Sequence, residues 1–174
     1  MICRAALIAA LYAVLTWCVA PFAYGPFQIR FAEGLVVLAA FYAEAVPGLY
    51  VGCMLANLFS GYGAPDIFLG SLATLVAAAL SYLAGRIFKS DGVRLAVCGL
   101  SNILLNAFII PSVMILAGST DMGYWYNFGS MVLTETVWIF AIGTPLYFAI
   151  KRLIQKNVRV MLPLVGGARH CANG

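Results

Sequence analysis

Charged side chains are what this sequence has least of: Lys, Arg, Asp and Glu together make 9% of 174 residues, where soluble domains carry about a quarter. With 64% hydrophobic residues and a mean hydropathy of +0.99, a soluble globular domain is excluded and the chain reads as an integral membrane protein. Histidine is reduced to His170 near the end of the chain, so no apolar run holds the usual base for a Ser or Cys nucleophile. The phosphate loop G-x-x-x-x-G-K-[ST], the zinc motif H-E-x-x-H and the nucleophile elbow G-x-S-x-G are all absent. Enzyme is thus the weaker class, no cofactor is implied, and uphill transport of a solute would draw on a gradient or on a partner. Cys3, Cys18, Cys53, Cys98 and Cys171 form no C-x-x-C pair, which supports neither a disulfide framework nor a metal site; those inside apolar runs read as small filler.

A formal charge of +4 suggests an anionic partner until the positions are read. Nine of the ten Lys and Arg residues fall near Met1, between Arg86 and Arg94, or from Lys151 onward. That is the asymmetry of membrane topology, and no nucleic-acid surface follows from it.

Uncharged gaps of about 19 to 26 residues separate Arg4 from Arg30, Glu44 from Asp66, Asp66 from Arg86, and Arg94 from Asp121, against the ~20 needed to cross hydrocarbon. Lipid leaves only helices or closed barrels, and runs that are apolar all round, without alternation, favour helix. The ambiguous stretch is 31–60, one kinked helix or two short ones broken within "AEAVPG" by Pro47 and Gly48. Keeping Arg4, the Arg86–Arg94 loop and the Lys151 end on one side requires an even number of crossings between them. The expectation is therefore an all-α bundle of six helices, at about 4–22, 31–44, 46–60, 66–88, 93–117 and 123–155, with both termini cytoplasmic. Residues 1–156 form its single domain, and 157–174 read as a disordered tail. The first run reads as a retained helix rather than a cleaved signal. Helices two and three, near 21 Å at 1.5 Å per residue, are too short to cross alone. They are tolerable where protein covers them or a cavity adjoins.

Against this background "YGPFQIRFAEG" gathers Gln28, Arg30 and Glu33, with Arg30 the one basic residue placed outside. An Arg30–Glu33 ion pair at a helix start and a polar lid over an outward pocket are compatible readings. Glu135 falls near the midplane of the last helix, on one face with Phe128, Met131, Trp138 and Ile142. Intramembrane acids usually face a bundle interior or a water-filled cavity, so Glu135 is the leading ligand candidate. Asn102 and Asn106, four apart, share a face at similar depth and could orient a heteroaromatic ring or simply join helices. Asn57 and Asp66 flank an outer turn, where Asp66 is expected to cap the fourth helix. Tyr124, Trp125 and Tyr126 fit an interfacial aromatic belt. Ala5, Ala6, Ala9, Ala10 and Ala13 make a smooth face that a partner helix could approach closely.

Over about Arg4 to Lys156 the chain resembles the substrate-binding S components of energy-coupling factor (ECF) transporters, and most closely the queuosine-precursor, QueT-like branch. The residues that carry the likeness are "AALIAALYAVLT", "YGPFQIRFAEGL", "VPGLYVGCMLANLFS" and "DIFLGSLATLVAA". The resemblance implies a six-helix bundle without its own ATPase, in a bacterial plasma membrane. Its partners would be a transmembrane coupling protein and two ATP-binding-cassette ATPases, with the alanine face of the first helix docking on the coupling protein. It implies a 7-deazapurine cargo such as prequeuosine or queuine; S components for riboflavin, biotin or thiamine share the fold. Within that frame the expected roles are Glu135 for the cargo's N–H edge or ammonium, Asn102 and Asn106 for orientation, and Trp138 for stacking. Gln28, Arg30 and Glu33 would close the mouth, and Asn57 is a further substrate-binding candidate. The competing class is a small membrane enzyme or scaffold.

Overall fold

The computed structural model describes residues 2–23, 30–118 and 123–156; the expected tail at 157–174 and Gln28 lie outside the described residues. Six helical segments follow one another: α1 (Ile2–Cys18), α2 (Phe31–Ala40), α3 (Ala45–Asn57), α4 (Asp66–Ile87), α5 (Asp91–Leu116) and α6 (Tyr124–Lys156). A single extra turn, Ala20–Ala23, follows α1. No strand occurs among the described residues. The last three helices are long and apolar enough to cross a membrane, whereas α1, α2 and α3 are shorter apolar helices.

The break between α2 and α3 corrects the sequence expectation. It falls at 41–44 rather than at Pro47, which sits in the first turn of α3. A proline there loses nothing, because the N–H it lacks would have no intrahelical acceptor. Thus Pro47 starts a helix instead of ending one. At the far end of α5, Gly118 adopts φ +61° and donates its N–H to the Ile115 carbonyl at 3.0 Å, a left-handed stop that suits glycine.

Helix α2 is the hub. It is wound as a ten-residue 3-10 helix, about 20 Å long at 2.0 Å per residue, and seven of its residues, Glu33 among them, are buried. It touches all five other helices, so its short length is covered by protein rather than by lipid, as backbone short of a full span requires.

Close approach around that hub depends on small residues. A Cβ on Gly34 would lie 2.9 Å from the Ile142 side chain, and one on Gly85 of α4 only 2.0 Å from the Ala40 carbonyl oxygen. Likewise, α3 meets α1 at Gly48 and Gly52, where a Cβ would lie 2.8 Å from the carbonyls of Ala5 and Ala9 respectively. The α6 side of the α2 contact is a π-helical segment, Ile139–Gly143. The extra residue such a segment inserts re-aims the following face, a feature often found at functional sites.

The basic stretches meet at one end. Lys151 of α6 pairs with Asp91 at the start of α5, and Tyr147 donates to the same carboxylate at 3.0 Å. Phe41 packs on Tyr147, and the Arg4 guanidinium lies 5.8 Å from the neighbouring Tyr42 ring. Around the bundle large apolar side chains stay exposed, Leu7, Leu72, Phe108, Leu133 and Val137 among them. A soluble monomer would not leave so extensive a patch uncovered.

Candidate functional site

In the interior, polar side chains from all six segments meet around Glu33, the third residue of α2. Its Oε1 accepts a hydrogen bond from the Tyr12 hydroxyl of α1 at 2.5 Å, and its Oε2 accepts from Asn102 Nδ2 of α5 at 3.0 Å. The same Asn102 amide donates to Glu135 Oε2 of α6 at 3.2 Å, while Asn106 Nδ2 donates to Glu135 Oε1 at 3.3 Å. One amide therefore bridges carboxylates from two helices. Glu33, Asn102, Asn106 and Glu135 are all at most 3% exposed.

A second limb runs through Arg30, itself buried. Its Nη2 donates to Asn57 Oδ1 at 3.1 Å and lies 3.7 Å from Asp66 Oδ2, and its Nη1 lies 3.9 Å from Glu33 Oε1. Asn57 closes α3 onto the start of α4 by donating to the Asp66 carbonyl at 3.0 Å and to Cys53 Sγ at 3.6 Å. Gly70 makes room for this junction, since a Cβ there would stand 2.8 Å from Asp66 Oδ1 and 3.0 Å from Asn57 Nδ2. The turn of α4 at this point, Asp66–Gly70, is π-helical, and Thr74 one turn on donates to Cys53 Sγ at 3.3 Å.

Buried polar atoms are normally paired, so those left without partners mark where a ligand could act. The carbonyl oxygens of Asn102 and Asn106 and both side-chain oxygens of Asp66 accept no hydrogen bond. Carboxylates and amide carbonyls are acceptors only, and the free capacity of the cluster is therefore for N–H donors and positive charge. Among the described residues no cluster of three or more His, Cys, Asp or Glu could hold a metal ion.

The structure brings Glu33, Arg30, Asn57, Asn102, Asn106 and Glu135 into one cluster, although they are spread over more than a hundred positions of the sequence. Trp138 stands apart from these hydrogen bonds, packing edge-on against Phe31 with centroids 4.4 Å apart. Arg30 is an interior residue, not a surface lid. Asp66 makes no capping bond, Pro65 being the cap residue, and its carboxylate faces Arg30 instead. The physical reason is that two isolated opposite charges in an apolar interior lower their desolvation cost by pairing.

Tyr12 was not singled out from the sequence. The available signal was a hydroxyl-bearing ring set into an alanine-rich helix, one turn before Thr16. The alanine face itself divides: Ala9 is buried against α3, Ala13 is buried and Ala5 is partly covered, while Ala6 and Ala10 remain exposed.

A family model described as QueT transporter matches residues 2–152. No curated protein and no solved structure matches the chain.

Proposed function

The chain belongs to the QueT transporter family, and from that premise we propose that it is the substrate-binding S component of an ECF-type importer for a queuosine precursor. The observation that carries the reading is the joined pair Glu33 and Glu135, held by the Asn102 amide in the buried interior beside two unpaired amide carbonyls. A guanine-like edge offers adjacent N–H donors that one carboxylate accepts in parallel. The unpaired carbonyls of Asn102 and Asn106 suit further donors on the ring or its substituent. Phe31, two residues before Glu33 in the chain, packs on Trp138, and this aromatic pair is the proposed stacking surface for the ring.

In this reading the cargo enters from the end opposite Lys151 and Asp91, where α3 ends and α4 begins. Six crossings, with α2 and α3 as short covered segments, keep the basic end cytoplasmic. ATP hydrolysis comes from two partner ATPases through a coupling protein that seats on the exposed Ala6 and Ala10 side of α1. A shallow groove of about 180 Å³ lined by Ile2, Ala5, Ala6, Pro47, Gly48 and Val51 borders that face and suits a crossing helix of small contact radius.

The test is to purify the full-length protein in mild detergent from cells fed a 7-deazaguanine and to identify any retained molecule by mass spectrometry. A retained 7-deazapurine is the expected result. A different vitamin in its place would overturn the cargo assignment.

A further inference from the structure

Away from the interior network, the basic end of the bundle holds an arginine with no acid to answer it. The Arg4 guanidinium lies 5.8 Å from the Tyr42 ring centroid, within the range at which an aromatic face attracts a cation. Among the described residues it forms no ion pair: Asp91 at this end is taken by Lys151, and Glu44, two residues after Tyr42, pairs with no base. Tyr42 thus holds the guanidinium in place without occupying its N–H donors, a planar fork that matches phosphate oxygens.

Beside Arg4 runs a groove of about 200 Å³ between α1 and α2, lined otherwise by Leu7, Ile8, Leu38 and Tyr42. Leu7 is 71% exposed, so the groove opens on the surface that faces lipid. Its character differs from that of the groove on the other flank of α1, where Ala5, Ala6 and Gly48 form a smooth, uncharged wall. Small residues let a helix backbone come close; the α1–α2 groove has none and is walled by long side chains. It is also smaller than the ~300 Å³ at which pockets for compact ligands begin. A single flexible hydrocarbon chain suits that width, and a negative head suits the free guanidinium at its end.

We propose that the α1–α2 groove is a binding site for one anionic phospholipid, its phosphate on Arg4 and the first part of an acyl chain along Leu7, Ile8 and Leu38. Charge complementarity selects this occupant, since basic pockets between membrane helices on the cytoplasmic side take acidic lipid heads. The proposal requires only that the bundle lie in a bilayer and is independent of the cargo.

The experiment is native mass spectrometry of the delipidated full-length protein, titrated with phosphatidylglycerol or with phosphatidylcholine of identical chains. The first phosphatidylglycerol is expected to bind at least about fivefold more tightly, the scale of one basic residue at a membrane surface. Arg4→Gln, at an exposed position where substitution costs little stability, should bring the two lipids within about twofold. The control is Arg86→Gln: Arg86 is also exposed and lies 5.2 Å from a ring, that of Tyr82, but does not line the groove. It should keep the preference within about twofold of wild type. Equal binding of both lipids by the wild type would overturn the proposal, as would a preference that survives Arg4→Gln or falls equally in Arg86→Gln, the mark of diffuse attraction to the basic end. Displacement of the lipid by millimolar glycerol phosphate would make the occupant a soluble anion, and a mass of two protein copies without lipid would make it a second chain; either result overturns the assignment.

Discussion

Replacing Asn102 by aspartate turns the donor shared by two buried carboxylates into a third carboxylate, and this change tests the interior network most directly. The bonds lost are those to Glu33 at 3.0 Å and to Glu135 at 3.2 Å. Neutral hydrogen bonds between helices in membranes average only about 0.6 kcal/mol, but bonds to an ionised acceptor contribute about 1.5–3 kcal/mol. Breaking a buried charged network by removing one partner costs about 3–5 kcal/mol. The charged acceptors decide which scale applies, and Asn102→Asp should destabilise by about 4 kcal/mol. For a chain of this size that is a fall of about 8–16 °C in the unfolding midpoint, readable from the fluorescence of Trp17, Trp125 and Trp138 in detergent. Adding Glu135→Gln returns the carboxylate count to its original value and supplies an amide that can donate to Asp at position 102. The double variant should therefore recover at least half of the loss, a coupling of about 2 kcal/mol or more. Costs that simply add, within about 0.5 kcal/mol, would refute the contact between α5 and α6 on which the site is built.

Other outcomes follow from the packing. Gly85→Ala, whose Cβ would stand 2.0 Å from the Ala40 carbonyl oxygen, should yield little folded protein on size-exclusion chromatography. Gly129→Ala, whose Cβ meets nothing within 4 Å, should elute as wild type. On α1, Ala6→Trp should abolish uptake and co-purification with a coupling protein while leaving ligand affinity unchanged. By contrast, Ala9→Trp should lower the unfolding midpoint, because Ala9 is packed against Gly52; retained uptake in Ala6→Trp would move the docking face elsewhere. With Cys171 replaced by serine, an impermeant maleimide applied to intact cells should label exposed Cys18 but not exposed Cys3. Equal labelling would undo the assignment of the basic end to the cytoplasm.

Much of the architecture was legible because lipid leaves few choices. Long charge-free runs had to be helices, and all six expected segments agree with the observed ones to within about four residues at each end. The break before α3 is where they differ in kind: α2 ends at Ala40 because the chain turns at 41–44, and Pro47 belongs to the helix that follows. Proline's dual use, breaker in the middle and favoured residue in the first turn, cannot be resolved by pattern alone. Within the site, Glu135, Asn102 and Asn106 stood out because polar groups in apolar helices need partners. Asp66 was misread as a cap since a turn and an acid before a helix fit that role equally well.

By itself the sequence determined the class of molecule, the positions of most helices, the end at which basic residues gather and the scarcity of interior cations, since each follows from composition along the chain. The tertiary structure alone decided that Tyr12 meets Glu33, that Arg30 faces Asp66 and that the Asn102 amide bridges two acids. It also decided which alanines of α1 face α3 and which stay open. Those facts depend on how far α2 penetrates the bundle, and that depth is set by glycine contacts at Gly34 and Gly85 and by the π-helical turn of α6. Backbones approach there within a few ångströms, between residues remote in the chain, and no local periodicity encodes such a distance.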